Sequence, residues 1–230
     1  MIKRRTKITR NYIIYPEGSV LIETGQTKVL CNVTVEEGVP GFINDGKGWI
    51  TAEYSMLPRS TDIRNRRESV SGKIKGRTAE IQRLIGRSLR AIVDRERFAN
   101  YTILVDCDVL QADGGTRTAS ITGACVALYD AFVKMIKDQK IEEMPLKEMV
   151  AAISVGVIDG NVFLDLDYEK DSNADVDMNV VMTESGKFVE LQGTAEHNVF
   201  DRKALNLMLD AAEEGIIELI KEQKKALELL

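Results

Sequence analysis

Twice along this chain, apolar and β-branched runs joined by two-residue turns lead into a long amphipathic helix, and no other feature restricts the fold as strongly. Ser19 to Thr24, the turn Gly25-Gln26 and Thr27 to Val35 read as a hairpin, because the runs suit half-buried strands and glycine admits the left-handed turn conformation. The theme returns with Val150 to Ile158, Asp159-Gly160 and Asn161 to Tyr168, and again with Val176 to Thr183, Ser185-Gly186 and Lys187 to Leu191. A final helix, capped by Asp201, keeps Leu205, Met208, Leu209, Ala212, Ile216, Leu219, Ile220 and Leu227 at helical spacing. Hairpins followed by a helix, twice over, predict an α+β fold with two related halves. No long linker divides them, so residues 1–230 are expected to form a single domain.

Between the two themes lie the segments that differ. Val39 to Lys47 is a glycine- and proline-punctuated loop, Trp49 to Tyr54 a strand, and Arg77 to Val93 a helix with Ile81, Leu84, Ile85, Leu89 and Ile92 on one face and Arg83, Arg87 and Arg90 on another. Tyr101 to Leu110 reads as a buried strand. The turn Gln111 to Thr118 then opens a helix whose apolar face is Ile121, Ala124, Cys125, Leu128, Phe132 and Met135.

The net charge of −5 argues against a chain that coats nucleic acid indiscriminately, but the charge is uneven. From Arg59 to Arg77 seven basic residues face two acids, a local +5, and a second cluster (Lys3, Arg4, Arg5, Lys7, Arg10) opens the chain. An anionic partner is expected to meet only part of the surface. Cys31, Cys107 and Cys125 sit singly among apolar neighbours without C-x-x-C spacing, which fits buried thiols in a reducing compartment, and the cytoplasm is the expected location. No apolar run is expected to reach the ~18 residues of a membrane span, and no signal-peptide core follows Met1.

Four groups of residues carry chemical potential. Gly114-Gly115-Thr116-Arg117 leads into a helix N-terminus, where unpaired N–H groups and a guanidinium suit an anion, although such a turn serves a purely structural role equally well. Arg77, after Gly76, opens the preceding helix and is the natural second clamp. Arg59, Arg64 and Arg67 lie in a dense run between Pro58 and Gly72 without interleaved aromatics, which suits backbone phosphates better than stacked bases. The acidic stretch Asp165 to Asp177 imitates a calcium loop, but Val176 and Met182 replace its glycine and glutamate. On its residues alone it is a solvated acidic loop or a pair of carboxylates for one Mg²⁺. The single histidine, His197, has no neighbouring nucleophile and fits a surface or capping role.

Taken in order, Glu17 to Leu21, Trp49 to Tyr54, Met56 to Thr61, Gly76-Arg77-Thr78, Ile81 to Arg87, Asp106 to Thr118 and Asp177 to Thr183 resemble the bacterial ribonuclease PH family, from about Lys7 to the last helix. The resemblance implies a two-layer β-sheet/α-helix sandwich akin to a small-subunit ribosomal protein domain, assembled as a homohexameric ring of dimers. It implies a phosphate-dependent 3′-to-5′ exoribonuclease and nucleotidyltransferase, trimming precursor tRNA and other RNA with release of nucleoside diphosphates. Matched residue by residue, Arg77, Gly115, Thr116 and Arg117 correspond to the family's phosphate site, Asp171 and Asp177 to its catalytic, Mg²⁺-holding carboxylates, and Arg59, Arg64 and Arg67 to its tRNA-binding arginines. Two departures stand out: the family usually begins with a short extra segment, and His197-Asn198 stands where a glycine-containing turn is more common. The competing readings are an inert RNA-binding ring subunit, which would have no reason to keep these arginines and carboxylates, and a water-using nuclease, which would leave the glycine-arginine turn without a purpose.

Overall fold

The computed structural model describes residues 3–230, arranged as two sheets with helices packed on them. The first half holds β1 (Thr6–Arg10), β2 (Gly18–Thr24), β3 (Thr27–Glu37), β4 (Trp49–Met56) and β5 (Tyr101–Gln111), with the short α1 (Glu68–Ser71) and α2 (Gly76–Ala91) between β4 and β5 and α3 (Thr116–Lys137) after β5. The second holds β6 (Val150–Ile158), β7 (Asn161–Leu164), α4 (Tyr168–Ser172), β8 (Val176–Thr183), β9 (Phe188–Ala195) and α5 (Arg202–Ala226). The sheet orders are β1-β2-β3-β5-β4 and β7-β6-β8-β9. Every pairing is antiparallel except β4 with β5, which must be parallel because the α1–α2 crossover carries the chain back to the starting end.

Helix α3 joins the halves. It packs on β2 and β3 with one face and on β6 with another, so sixteen of its residues are buried, including Ile121, Ala124, Cys125, Leu128 and Phe132 as the apolar spacing predicts. Contrary to the sequence expectation, α3 is long and apolar enough to cross a membrane by length and composition, with mean hydropathy 1.4. However, 78% of that window is buried inside the protein, which makes it the core helix. A helix covered by sheets on two sides loses its polar face, and its composition then approaches that of a membrane span. Polar side chains within it are satisfied one turn back, Ser120 donating to Thr116 O (2.8 Å) and Thr122 to Thr118 O (2.9 Å), and Gln223 of α5 donates to the carbonyls of Thr122 and Val150, both at 2.9 Å.

Two details depart from the sequence reading. β1 lies within a stretch read only as a charge cluster. The strand expected over Asn161–Tyr168 ends at Leu164, because Asp165 adopts a left-handed backbone (φ 58°) and Asp167 caps α4 by accepting from the N–H of Lys170. The three cysteines are buried and free as expected, with Cys31 and Cys107 side by side on β3 and β5 at 3.9 Å between sulfurs; the hydrogen bond with the Cys107 thiol, then burial, raise the Cys31 pKa well above its ordinary value.

Candidate active site

A cleft of about 620 Å³ opens between the halves, and six residues singled out in the sequence line it: Arg77, Gly115, Thr116, Arg117, Asp171 and Asp177. They come from α2, the β5–α3 turn, α4 and β8, four elements separated by up to 100 positions in the chain.

The phosphate-type wall is built at the start of α3. Gly114 (φ 71°) and Gly115 (φ 66°) both occupy the left-handed region, and a Cβ on Gly114 would lie 2.4 Å from the carbonyl oxygen of Leu166, so the second half's backbone leaves no room for a side chain there. The turn is fixed by Thr27, whose hydroxyl donates to Gly114 O (2.7 Å) and accepts from Asp113 N–H (2.9 Å). Thr116 shares a 2.8 Å hydrogen bond with the Tyr54 hydroxyl. Arg117 is held from two sides, donating to Gln192 Oε1 at 3.2 Å and lying 3.7 Å from Glu80, while Gln192 itself donates to Glu80 and Glu190. Arg77 is exposed on the first turn of α2 and faces the same space.

The opposite wall is acidic. Burial, then the nearby Asp171 carboxylate, push the Asp177 pKa up to about 6, against the pull of Arg117. Its Oδ1 is buried without a hydrogen-bond partner among the described residues. Partial burial also raises the Asp171 pKa, opposed by Arg117 and Arg77 and assisted by Glu196. Two carboxylates held close, one with an orphaned oxygen, form a site that a cation would stabilise. No group of three or more His, Cys, Asp or Glu side chains suited to a metal exists among the described residues, so a metal here would take its remaining ligands from substrate or water, as Mg²⁺ commonly does. Asp175 faces elsewhere, accepting from Asp159 N–H (3.1 Å) and from Asn198 Nδ2 (2.8 Å).

Arg59, Arg64 and Arg67 do not line the cleft. They are exposed on the loop that borders it, whose Thr61, Asp62, Ile63 and Asn65 do line it. The loop is rooted beside the glycine turn by the hydrogen bond from Ala112 N–H to Ser60 O (2.8 Å), so its arginines stand at the mouth. His197 is exposed. The residues that sequence reading missed are Glu80 and Gln192, which grip Arg117, and Arg4, which clamps the site from behind. Arg4 donates to both oxygens of Asp165 (2.8 Å from its backbone N–H, 2.6 Å from Nη2), to Asp113 O at 2.5 Å and to Leu166 O at 3.1 Å. Nothing local in the sequence marks any of the three.

The family models give this geometry its class. The model of the 3′ exoribonuclease family, domain 1, matches residues 3–134, and that of domain 2 matches residues 148–215. The chain belongs to the 3′ exoribonuclease family. Within it, the chain is 58% identical over 226 residues, 97% of its own length, to the proteins named ribonuclease PH from Bacillus mycoides and Bacillus cytotoxicus, and covers 92% of each. Its activity is accordingly phosphate-dependent exonucleolytic shortening of RNA from the 3′ end. Solved structures of lower identity share the fold. Rice (Oryza sativa) Rrp46 superposes with TM-score 0.79 at 21% identity, covering 98% of this chain and 96% of that one. A chain of the Archaeoglobus fulgidus exosome with RNA bound to the active site gives TM-score 0.83 at 21% identity, with 96% and 89% covered.

Proposed function

We propose that the cleft between the halves is where phosphorolysis occurs, with precursor tRNA as a principal substrate. The observation that carries this reading is the confrontation of a cationic, N–H-rich turn with a carboxylate pair, one oxygen of which is buried without a hydrogen-bond partner, in one cavity. The N–H groups at the start of α3, Arg117 and Arg77 bind inorganic phosphate. A phosphate oxygen then attacks the last phosphodiester phosphorus, the bond from phosphorus to the preceding ribose O3′ breaks, that oxygen takes up a proton, and a nucleoside diphosphate leaves. Two anions must meet for this to happen, so fixed cationic groups stabilise the charge that builds up. Asp171 and Asp177 are the residues that would hold Mg²⁺, which when bound supplies further positive charge beside the scissile phosphate. With its pKa near 6, Asp177 also suits proton exchange with phosphate near neutral pH.

Arg59, Arg64 and Arg67, exposed at the mouth, contact the RNA backbone upstream of the cleft. The two halves share one continuous hydrophobic core, which supports residues 1–230 as a single folding unit. Assembly as a homohexamer is supported by the family likeness and by the exosome assemblies named for the archaeal structures, and a cytoplasmic location by the free, buried thiols. The test is incubation with a 3′-extended tRNA with and without inorganic phosphate, followed by analysis of the released nucleotides. Nucleoside diphosphates appearing only with phosphate, and lost in Arg117→Ala, support the assignment; monophosphates, or an Arg117→Ala enzyme with ordinary phosphate dependence, contradict it.

A further inference from the structure

The charged walls account for only part of the cleft. Met56, Ile63, Ala112 and Tyr168 line it too, and two of these are large apolar side chains left in the open: Tyr168 is 69% exposed and Ile63 81% exposed. Exposed rings at loop tips are ordinary, but this one is mounted. Tyr168 is the first residue of α4, its N–H donates to Asp113 Oδ1 at 3.3 Å, and the turn beneath it is pinned by the Asp167 cap. Its backbone is therefore tied to the same glycine-turn segment that begins the phosphate wall. It also stands three positions before Asp171, which puts the two side chains on neighbouring positions of one helical face.

We propose that Tyr168, which lines the cleft together with Ile63 and Met56, is the seat of the nucleobase belonging to the RNA's 3′-terminal nucleotide, the nucleotide released at each turnover. This rests on the reading of the cleft as the phosphorolytic site. The chemistry fits a base: an exposed aromatic ring in a cleft that also holds apolar side chains and groups suited to the phosphate that the same nucleotide carries. It also fits the task. An exonuclease that removes successive nucleotides must accept any base in turn, and stacking on an aromatic ring provides affinity without reading a hydrogen-bond pattern, since every base has a π-face. Tyrosine suits this role because its ring offers a large contact area with few rotatable bonds to immobilise.

The experiment uses the whole enzyme and two short RNAs that differ only in whether the 3′-terminal nucleotide carries a base. Tyr168→Ala should raise KM for the ordinary RNA between about fivefold and a hundredfold, the range of base–aromatic stacking. KM for inorganic phosphate should stay within about twofold. Tyr168→Phe and Tyr168→Trp should stay close to the parent. On the RNA lacking the terminal base, the parent should fall to the level of Tyr168→Ala, and the substitution should cause no further loss. Equal penalties on the two RNAs, failure of phenylalanine to rescue, or a shift in phosphate KM instead of RNA KM would each overturn the proposal. If Tyr168→Ala does not fold, Tyr168→Leu and the parent's own response to base removal decide the matter by the same criteria. Arg117→Ala run alongside separates the two assignments: unchanged phosphate KM in that variant together with a base-dependent Tyr168 effect would leave the nucleobase seat standing and remove the phosphate site from this cleft.

Discussion

Two stretches of this chain look alike in sequence and differ entirely in the fold. Residues 3–10 and residues 59–77 are both dense in arginine and lysine, and both could serve an anionic partner. In the structure the first stretch is largely consumed. Arg4 pairs with Asp165, Arg10 forms a bidentate pair with Asp130 (2.7 and 3.0 Å) and donates to Ala226 O, Lys7 lies 3.5 Å from Glu23, and Lys3 3.9 Å from Glu218. The neighbouring Asp130 carboxylate raises the Arg10 pKa, as expected for a cation with a bound partner. Only Arg5 and Lys7 of the five remain exposed, so this cluster has little left to offer an outside anion. In the second stretch Arg59, Arg64 and Arg67 are exposed, and Arg77 opens into the cleft. In the first stretch the fold supplies well-buried carboxylates that engage Arg4 and Arg10, and it brings them from 161 and 120 residues away.

The largest effect should come from the first stretch. Arg4→Met leaves Asp165, whose side chain is only 5% exposed, without its counter-charge, and should cost about 3 kcal/mol or more of stability in denaturant unfolding. Arg4→Met combined with Asp165→Asn should recover part of the loss. Asparagine removes the stranded charge and still tolerates the left-handed backbone at position 165, where φ is 58°. A near-neutral Arg4→Met would break the comparison at its root.

Arg117→Ala should lower turnover by about 10²- to 10³-fold, the scale for removing one transition-state donor, with little change in unfolding midpoint. Arg117 is held by Glu80 and Gln192 at a partly open edge rather than sealed in the core, and losing the attraction that opposes the rise of the Asp177 pKa shifts that carboxyl toward its neutral form rather than leaving a charge stranded. A loss of stability like that of Arg4→Met would place Arg117 in the structural class instead.

Replacing Arg59, Arg64 and Arg67 together should leave stability within about 0.5 kcal/mol of the parent, since these side chains are exposed. The effect belongs in RNA binding, where each lost phosphate contact removes about 0.7 to 0.9 from the slope of log affinity against log salt. An unchanged slope would mean that the loop does not meet RNA.

The smallest effect extends the comparison to an acid with one buried oxygen left without a hydrogen-bond partner. Because the folded state raises the Asp177 pKa to about 6, the folded protein holds that proton more tightly than the unfolded chain does. The site therefore loses stability as pH rises from about 4 through about 6, and the penalty persists above that range. Asp177→Asn should accordingly be more stable than the parent at pH 7 to 8, on the order of 1 kcal/mol after allowance for partial solvent exposure, with the advantage disappearing below about pH 4. A destabilised Asp177→Asn at pH 8 would mean that the carboxylate has a partner in the folded protein.

Much of this molecule was legible from periodicity. The two hairpin themes, the amphipathic α2 and the capped α5 follow from residue patterns a few positions long; β2, β6, β8 and α2 emerge within about two residues of their observed bounds, whereas β7 ends four residues early and β9 runs four residues further than read. β1 did not, because its lysine and arginines read as surface charge. Only its pairing with β2, in which Ile8 lies opposite Ile22, makes it a strand. Tyr168 was assigned to a strand for the reverse reason: the break at Asp165 depends on a left-handed conformation stabilised by Arg4, far away in sequence. The site divides along the same line. Glycines before a helix and paired carboxylates announce themselves locally, whereas Glu80, Gln192 and Arg4 act across the fold and carry no local mark.

The central claim is that the arginines facing the cleft bind phosphate while those of the opening stretch hold the halves together. Calorimetric titration with inorganic phosphate of the parent, Arg117→Ala and Asp175→Asn tests it most directly, since Asp175 is engaged with Asp159 and Asn198 away from the arginine wall. The account predicts that the parent and Asp175→Asn bind alike and that Arg117→Ala loses at least about tenfold in affinity, the scale of a charge-assisted hydrogen bond. Phosphate affinity in Arg117→Ala equal to the parent's would contradict it.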